Sequence, residues 1–350
     1  MKIAITRREY ITHLDGVNRF AAWLAEGLRE LGHDPILVSW CHSGQVPLEE
    51  LGRWFKEKHG LDAEIPIYTL REKPCRGDPW ARMLWEWWTR GSALLKRLGA
   101  EAAVVNGVMP LRFKPKIAVA HGPFKPSPAQ RLLLRALYST YDVVVCVSEA
   151  SRKEYRGVAP CSQIIPLPVK LKLYEPRAER EAAVVHIGTR PIKNPHISVE
   201  AVERLRERGI KAELYIIGAR TPHVEKLAEG RPWVHPLFDA DEKEKLDVLC
   251  RAKALVLPSS GEAFPYTAVE AMACGTPPVV STAVPGEVVA HGTNGLRIAS
   301  MNPVDYADAL EALFRDEELW ARLSEGGREF AKRFDHVEIA KRYAEMLTAL

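Results

Sequence analysis

Short apolar runs alternate with helical patterns along all 350 residues of this chain, and they fall into two successive series. The first comprises residues 3–6, 36–40, 65–70, 103–105, 117–120, 143–147 and 164–167. The second comprises 183–187, 214–217, 233–237, 254–257, 279–281 and 296–298. Strands this continuously apolar must be covered on both faces, which is the condition of a parallel sheet flanked by helices. Two such series predict an α/β chain with two doubly wound, Rossmann-like domains, for which the length is ample. The break falls in 166–181, PLPVKLKLYEPRAERE, where proline and charge interrupt any period. Residues 1–168 then form the first domain and 181–335 the second. The stretch 304–350 reads as two or three helices.

Composition narrows the class. Hydrophobic residues make up 47% and charged residues 27%, a soluble globular balance. No apolar run approaches the roughly 20 residues that span a bilayer. The start, MKIAITRREY, lacks the apolar core of a signal peptide and reads as a buried first strand. A net charge of +4 is too small to argue for nucleic acid, and none is expected as a partner. Within 107–138, however, Arg112, Lys114, Lys116, Lys125, Arg131 and Arg135 occur with no acid among them, so the first domain is expected to carry a positive face. The six cysteines (Cys41, Cys75, Cys146, Cys161, Cys250 and Cys274) form no C-x-x-C pair, and several sit in apolar runs. They read as small core residues in a reducing cytoplasm, neither zinc ligands nor disulfides. Cytoplasmic placement is the corresponding expectation. Scarce glutamine beside many ion-pairing residues fits a thermophilic source.

Doubly wound sheets bind ligands beyond the carboxyl ends of their strands, so the residues after each apolar run carry the functional reading. The densest stretch is 258–275, PSSGEAFPYTAVEAMACG. Glu262 falls in the loop after the run 254–257. Glu270 lies inside a predicted helix, 266–274, that opens after Pro265 and closes at Gly275. Proline costs nothing there, because the first N–H groups of a helix lack intrahelical partners. A helix start aimed from a strand end suits an anion, phosphate above all. The alternative is that Glu262 is a loop charge and Glu270 a solvated helix position. After 183–187 comes Gly188-Thr189-Arg190-Pro191-Ile192-Lys193-Asn194-Pro195. Two cations three apart in a glycine-led loop suit a diphosphate, with Arg190 as fork and Lys193 as point charge. A solvated basic loop is the alternative. After the first run, Leu14-Asp15-Gly16-Val17 feeds a helix, and Gly16 permits positive φ and close backbone approach, or is an ordinary turn glycine. After 117–120 comes His121-Gly122-Pro123, a functional or a structural histidine.

Together these stretches resemble the retaining family 4 of the GT-B glycosyltransferases, whose donor domain carries an E-x7-E pattern. The matching text is Glu262-Ala-Phe-Pro-Tyr-Thr-Ala-Val-Glu270, followed by Ala271-Met-Ala-Cys-Gly-Thr-Pro-Pro-Val-Val280. Residues 286–289 and 291–295 match as well, and Cys146-Val147-Ser148-Glu149 resembles the strand closing the family's first domain. The resemblance implies that 1–168 takes the acceptor and 181–335 the nucleoside-diphosphate-sugar donor across a cleft, with 336–350 crossing back to the first domain. It implies that Glu270 accepts hydrogen bonds from ribose hydroxyls, and that Arg190 and Lys193 neutralise the diphosphate. Glu262 would lie beside the transferred sugar, held also by the backbone at Phe264, Pro265 and Tyr266. His121 would touch that sugar near the reacting carbon, and Gly16 and Gly188 would let backbone approach the diphosphate. The donor would be a UDP-, GDP- or ADP-sugar and the acceptor a sugar, polyol or lipid-linked hydroxyl. Neither cofactor nor metal is implied.

The chain departs from the family pattern in three places. Asp15-Gly16 stands where two glycines are usual. Ala263-Phe264-Pro265 replaces Gly-Phe-Gly, and Pro265 has no N–H to offer. Leu167-Pro168-Val169-Lys170 replaces the Asn-Gly-Val-Asp often found at the domain junction. Asp239-Ala240-Asp241 invites a metal reading, but Asp239 with Glu242 three positions on is a capping-box spacing. In 79–99, PWARMLWEWWTRGSALLKRLG, the residues Trp80, Met83, Leu84, Trp87, Leu94 and Leu98 follow a helical stripe among cations. This is a core helix of the first domain or a set of acceptor-pocket aromatics, or else a membrane-surface element at the inner face. A sugar-nucleotide epimerase or hydrolase and a non-catalytic nucleotide-sugar binder remain as alternatives of the same fold. A nicotinamide dehydrogenase is disfavoured because no G-x-G-x-x-G follows either first strand.

Overall fold

The computed structural model describes residues 1–12, 15–75, 78–122, 126–177 and 179–350, so Leu14, Pro123 and Lys125 lie outside the described residues. Contacts divide the chain into two units, Met1–Pro168 with Phe334–Leu350, and Val169–Arg333.

The first unit opens with β1 (Lys2–Tyr10), α1 (Gly16–Glu30), β2 (Asp34–Cys41), α2 (Leu51–His59) and β3 (Ile67–Thr69). An interrupted helix follows, α3 (Trp80–Glu86) and α4 (Ser92–Arg97), joined by a π-helical turn at Trp87–Gly91. Then come β4 (Ala102–Asn106), β5 (Lys116–Ala120), α5 (Pro128–Tyr138), β6 (Val143–Cys146), α6 (Glu149–Glu154) and β7 (Gln163–Ile164). The strands pair in parallel in the order β3-β2-β1-β4-β5-β6-β7. Ile5 of β1 lies opposite Leu37 and Val104, and all three are buried, which is why this strand reads as apolar on both faces.

The second unit contains β8 (Glu181–Ile187), α7 (Pro195–Glu207), β9 (Glu213–Gly218), α8 (Pro222–Ala228), β10 (Val234–Phe238) and α9 (Glu242–Arg251). It continues with β11 (Ala252–Leu257), α10 (Tyr266–Ala273), β12 (Pro278–Ser281), β13 (Leu296–Ile298), α11 (Pro303–Arg315) and α12 (Glu317–Ala331). Its sheet, also parallel, has the order β10-β9-β8-β11-β12-β13. The last helix, α13 (His336–Thr348), belongs to the first unit and packs on α1. Gly27 makes that approach possible, since a Cβ there would stand 2.4 Å from the His336 carbonyl oxygen.

Both sheets reverse their winding beside their first strand, at β1/β4 and at β8/β11. Such a reversal opens a crevice at the strand ends where ligands enter.

Four expectations need correction. The cysteines are not unpaired: Cys41–Cys75, Cys146–Cys161 and Cys250–Cys274 are disulfides, with no free cysteine among the described residues. Folding brings together residues that are 34, 15 and 24 positions apart, a proximity no local pattern displays. The tryptophan-rich stripe is split. Met83, Trp87 and Leu94 are core, but Trp80 is 59% exposed, as are Trp85 at 61% and Trp88 at 39%. Lys116 is no part of a positive surface. It is buried at the start of β5, where its ammonium donates to the Leu111 carbonyl and faces the Tyr141 ring. Finally, the cap of α9 is Asp241, which accepts from the Glu244 N–H at 2.8 Å, while Asp239 takes a left-handed φ of 54°.

Candidate active site

In the second unit, β8 ends at a glycine for a steric reason. Gly188 has a φ of +116°, and a Cβ there would come within 2.9 Å of Lys193 Cγ. The chain then makes a 3-10 turn at Pro191–Lys193 and enters α7 through Asn194, itself left-handed. The Asn194 amide donates to the Pro258 carbonyl and to Ser260 Oγ, both at 2.8 Å, and the Ser260 N–H donates to the Ile192 carbonyl at 2.8 Å. The loops after β8 and β11 are thereby stitched across the switch point. The result is that Lys193 Nζ donates to Glu262 Oε1, with both side chains largely shielded. The readings of Glu262 as a solvated loop charge and of Lys193 as a solvated loop cation are both excluded. Arg190 is exposed, and its side chain has no partner among the described residues.

Glu270 is also not a solvated position. It sits in α10 at 0% exposure, where Lys245 Nζ of α9 lies 3.1 Å from its Oε2 and 2.6 Å from Glu242 Oε1. A carboxylate removed from water this completely requires a cation or several donors. Phe264, Pro265 and Tyr266 are buried at the start of α10, and the two rings meet edge to face at 5.7 Å. Pro265 occupies the N-cap position and supplies no side-chain cap.

In the first unit, Arg7 of β1 and Asn106 of β4 are register partners at the switch point. With Val17, Tyr155 and His121 they line a cavity of about 230 Å³. Arg7 pairs with Asp15 at 3.0 Å, and Asp15 caps α1 by accepting from the Asn18 N–H at 2.8 Å. The Asn106 amide donates to the Val17 carbonyl at 2.7 Å. Gly16 is therefore the first helical residue behind a capping aspartate, rather than a left-handed turn residue. His121 packs edge-on against Phe20 at 5.2 Å, and its carbonyl accepts from the Tyr155 hydroxyl at 2.6 Å. Burial, reinforced by the Arg7 charge, pushes the His121 imidazole down to about 3, so it is neutral at ordinary pH. Three buried polar atoms around the cavity have no partner among the described residues: Arg7 Nε, Asn106 Oδ1 and His121 Nε2. Buried groups without partners are costly, and a donor and an acceptor converging on one cavity form a ready complement to a hydroxyl-bearing ligand.

The structure thus brings Lys193 to Glu262 and surrounds His121 with polar groups. It leaves Arg190 in solvent and gives Glu270 a partner in Lys245. Arg7, Asn106, Asn194 and Lys245 escape a reading by sequence. Arg7 and Asn106 sit at strand ends, and that position was the one available signal. The Lys245–Glu242 spacing shows an i,i+3 helix pair but cannot reveal Glu270, which comes from another helix.

Two family models match the chain. One, described as Glycosyltransferase Family 4, covers residues 14–173, and one described as Glycosyl transferases group 1 covers 181–316. A D-inositol 3-phosphate glycosyltransferase of Xylanimonas cellulosilytica is 34% identical over 162 residues, 43% of this chain and 37% of that protein. A GDP-mannose-dependent alpha-(1-6)-phosphatidylinositol dimannoside mannosyltransferase of Mycobacterium tuberculosis is 30% identical over 158 residues, 41% of this chain and 42% of that protein. The chain therefore spans about two fifths of the length of these relatives. Among solved structures, Anabaena Alr3699/HepE in complex with UDP and glucose superposes over 100% of both chains with a TM-score of 0.76 at 17% identity, a likeness of fold.

Proposed function

Given that the chain belongs to the family 4 glycosyltransferases (glycosyl transferases group 1) and has their GT-B fold, we propose that it moves a sugar from a nucleoside-diphosphate sugar to an acceptor hydroxyl with retained configuration. The observation that carries this reading is the Lys193–Glu262 pair at the β8/β11 switch point, backed by the buried Lys245–Glu270 pair. In the proposal Glu270 accepts from the ribose, and Gly188 lets backbone approach the diphosphate. Arg190 and Lys193 neutralise the charge that develops as the diphosphate departs. Lys193 then exchanges part of its bond to Glu262 for phosphate oxygens, which frees Glu262 to hold sugar hydroxyls. The sugar–phosphate bond breaks, the acceptor oxygen bonds the same face of the anomeric carbon, and the acceptor proton passes to a departing phosphate oxygen. Two cationic side chains and a helix start do the work of a divalent ion, so the reaction is proposed to be metal-independent. Asp241 serves as the cap of α9, accepting from the Glu244 N–H, as a capping role in this stretch requires.

The acceptor, a sugar, polyol or lipid-linked hydroxyl, is assigned to the first unit, where neutral His121 offers a hydrogen bond rather than a charge. Exposed Trp80, Trp85 and Trp88, with the Arg112 guanidinium 4.3 Å over the Trp88 ring, support peripheral contact with a membrane face. No helix among the described residues is long and apolar enough to cross a membrane. The cytoplasmic reading no longer follows from unpaired cysteines. It is kept as a proposal through the thermophilic exception, in which interior proteins are rich in disulfides.

A thermal-shift panel of UDP-, GDP- and ADP-sugars tests the donor half. One class should raise the melting temperature, since a ligand at a hundred times its Kd stabilises by about 2.7 kcal/mol. Product analysis with and without acceptor tests the chemistry. Hydrolysis or epimerisation that ignores acceptor, or an inverted product, would reject the transfer reading.

A further inference from the structure

A cavity of about 630 Å³ belongs to neither site described above. It is a groove in the first unit between the segment that leaves β3 and the interrupted helix α3–α4. One wall is an ion network of Arg71, Asp78, Arg82 and Glu86. Glu86 accepts from the Trp40 indole N–H at 2.6 Å and from Arg82 at 3.1 Å. Asp78 takes Arg71 at 2.8 Å and Arg82 at 3.0 Å. Both guanidinium groups are thus paired with both acids. Lys73, Arg90 and Arg97 also line the groove, and none of them has an acid partner among the described residues. Glu72 is the one further acid on the lining, so a surplus of two positive charges faces the cavity.

The helix is built to hold this arrangement. Glu86, Arg90, Ala93 and Arg97 follow one another at three- and four-residue spacing on the groove face, while Met83, Trp87 and Leu95 are buried away from it. At the π-turn Gly91 leaves room for the Trp87 ring, since a Cβ would come within 2.8 Å of it. Trp87 in turn donates its indole N–H to the Arg8 carbonyl at 3.1 Å, which fixes the groove helix to the end of β1. Arg8 lines the Arg7–Asn106–His121 cavity. Because every strand pairing in this sheet is parallel, the end of β3 and the end of β1 lie on the same side of the sheet. The cationic groove and the Arg7–Asn106–His121 cavity thus lie at the same end of this sheet, linked through the Trp87–Arg8 hydrogen bond.

Resting on the reading that the first unit takes the acceptor, we propose that this groove binds a phosphate ester carried by that acceptor, with Arg90, Arg97 and Lys73 as its ligands. Guanidinium forks match phosphate oxygens in pairs, and an anion relieves the repulsion of like charges around one cavity. The phosphate could belong to a free phosphorylated polyol or to a phospholipid headgroup, and the test has an arm for each.

The full chain is titrated calorimetrically at low ionic strength with myo-inositol 1-phosphate and with unphosphorylated myo-inositol. It is also floated with phosphatidylcholine vesicles with and without added phosphatidylinositol. R90Q/R97Q should weaken the phosphate-bearing probe by about tenfold per guanidinium, and K73Q should do so to a smaller extent. The control R131Q/R135Q, on α5 outside the groove, should bind as wild type does. Loss in the calorimetric arm identifies a soluble phosphate ester, and loss in the vesicle arm alone identifies a headgroup; either supports the proposal. Three results overturn it: neither phosphate probe binds wild type, R90Q/R97Q binds undiminished, or R131Q/R135Q loses as much. Melting temperatures report folding of each variant, and K73Q stands in should the double variant not fold. No turnover is required, so a failure of the transferase reading shows itself separately, as intact phosphate binding with no sugar transferred from any donor.

Discussion

Lys193 and Glu262 illustrate how two ordinary loop residues acquire chemistry. Each is shielded by the other's loop, and each is the other's counter-ion, so the pair stores a cation beside a carboxylate at the place proposed for a departing diphosphate. Lys193→Ala and Glu270→Ala are each expected to cut kcat/KM by two orders of magnitude or more, the scale of losing a preorganised electrostatic contact. Near wild-type steady-state rates in both variants would remove the site from these residues. Two buried histidines set a pH dependence of stability. Burial pushes His186 down to about 4 and His121 to about 3. In the unfolded chain both titrate near 6.5, so below that pH the unfolded state takes up protons that the native state refuses. Stability is full above about pH 6.5 and falls on acidification toward pH 4, by about 1.4 kcal/mol per pH unit for each histidine. His336 opposes this in part: burial lowers it, but Asp335 and Glu30 outweigh burial and raise it. Urea unfolding at several pH values between 7 and 5 should show the decline, and a flat or rising profile would contradict it.

At the scale of elements, α9 and α10 act as one block. The Cys250–Cys274 disulfide joins their carboxyl ends, and Lys245, reaching from α9, meets Glu270 in α10. Removing one member of a buried ion pair strands the other, at a cost of about 3–5 kcal/mol, whereas replacing both with apolar residues of similar volume is often neutral. Lys245→Met alone should therefore destabilise the fold, and K245M/E270M should regain much of that stability without regaining nucleotide affinity. Denaturation and nucleotide titration on the same three proteins check both halves, and parallel recovery of the two would place Glu270 outside nucleotide binding. The glycine at 188 belongs to this scale too. Its positive φ and its contact with Lys193 mean that Gly188→Ala strains the backbone and displaces the very side chain that the site needs.

Across the whole molecule, three disulfides close loops of 34, 15 and 24 residues. Each is expected to contribute about 2–4 kcal/mol, chiefly by restricting the unfolded chain. Reduction under native conditions should lower the denaturation midpoint accordingly, and an unchanged midpoint after thiol titration confirms full reduction would show that the bridges are dispensable. The legibility of the fold follows the same division between local and distant. Two parallel sheets were readable because a strand covered on both faces must be apolar at every position, and that leaves a mark in consecutive residues. Candidate positions such as Glu262, Lys193 and His121 could be chosen from the sequence because a doubly wound sheet exposes the ends of its strands, and each does follow a strand. The three disulfides, the Lys245 partner of Glu270 and the burial of Lys116 were not readable, since each depends on a residue from another element.

What the amino-acid sequence determined on its own was therefore periodicity, the order of strands and helices, and which residues follow each strand. What only the tertiary structure decided was partnership: Lys193 with Glu262, Lys245 with Glu270, Arg7 beside Asn106, and cysteine with cysteine. The physical reason is one of range. Backbone propensity and burial patterns act over a few residues, whereas ion pairs, disulfides and cavity walls join residues that chain folding alone brings within a few ångströms.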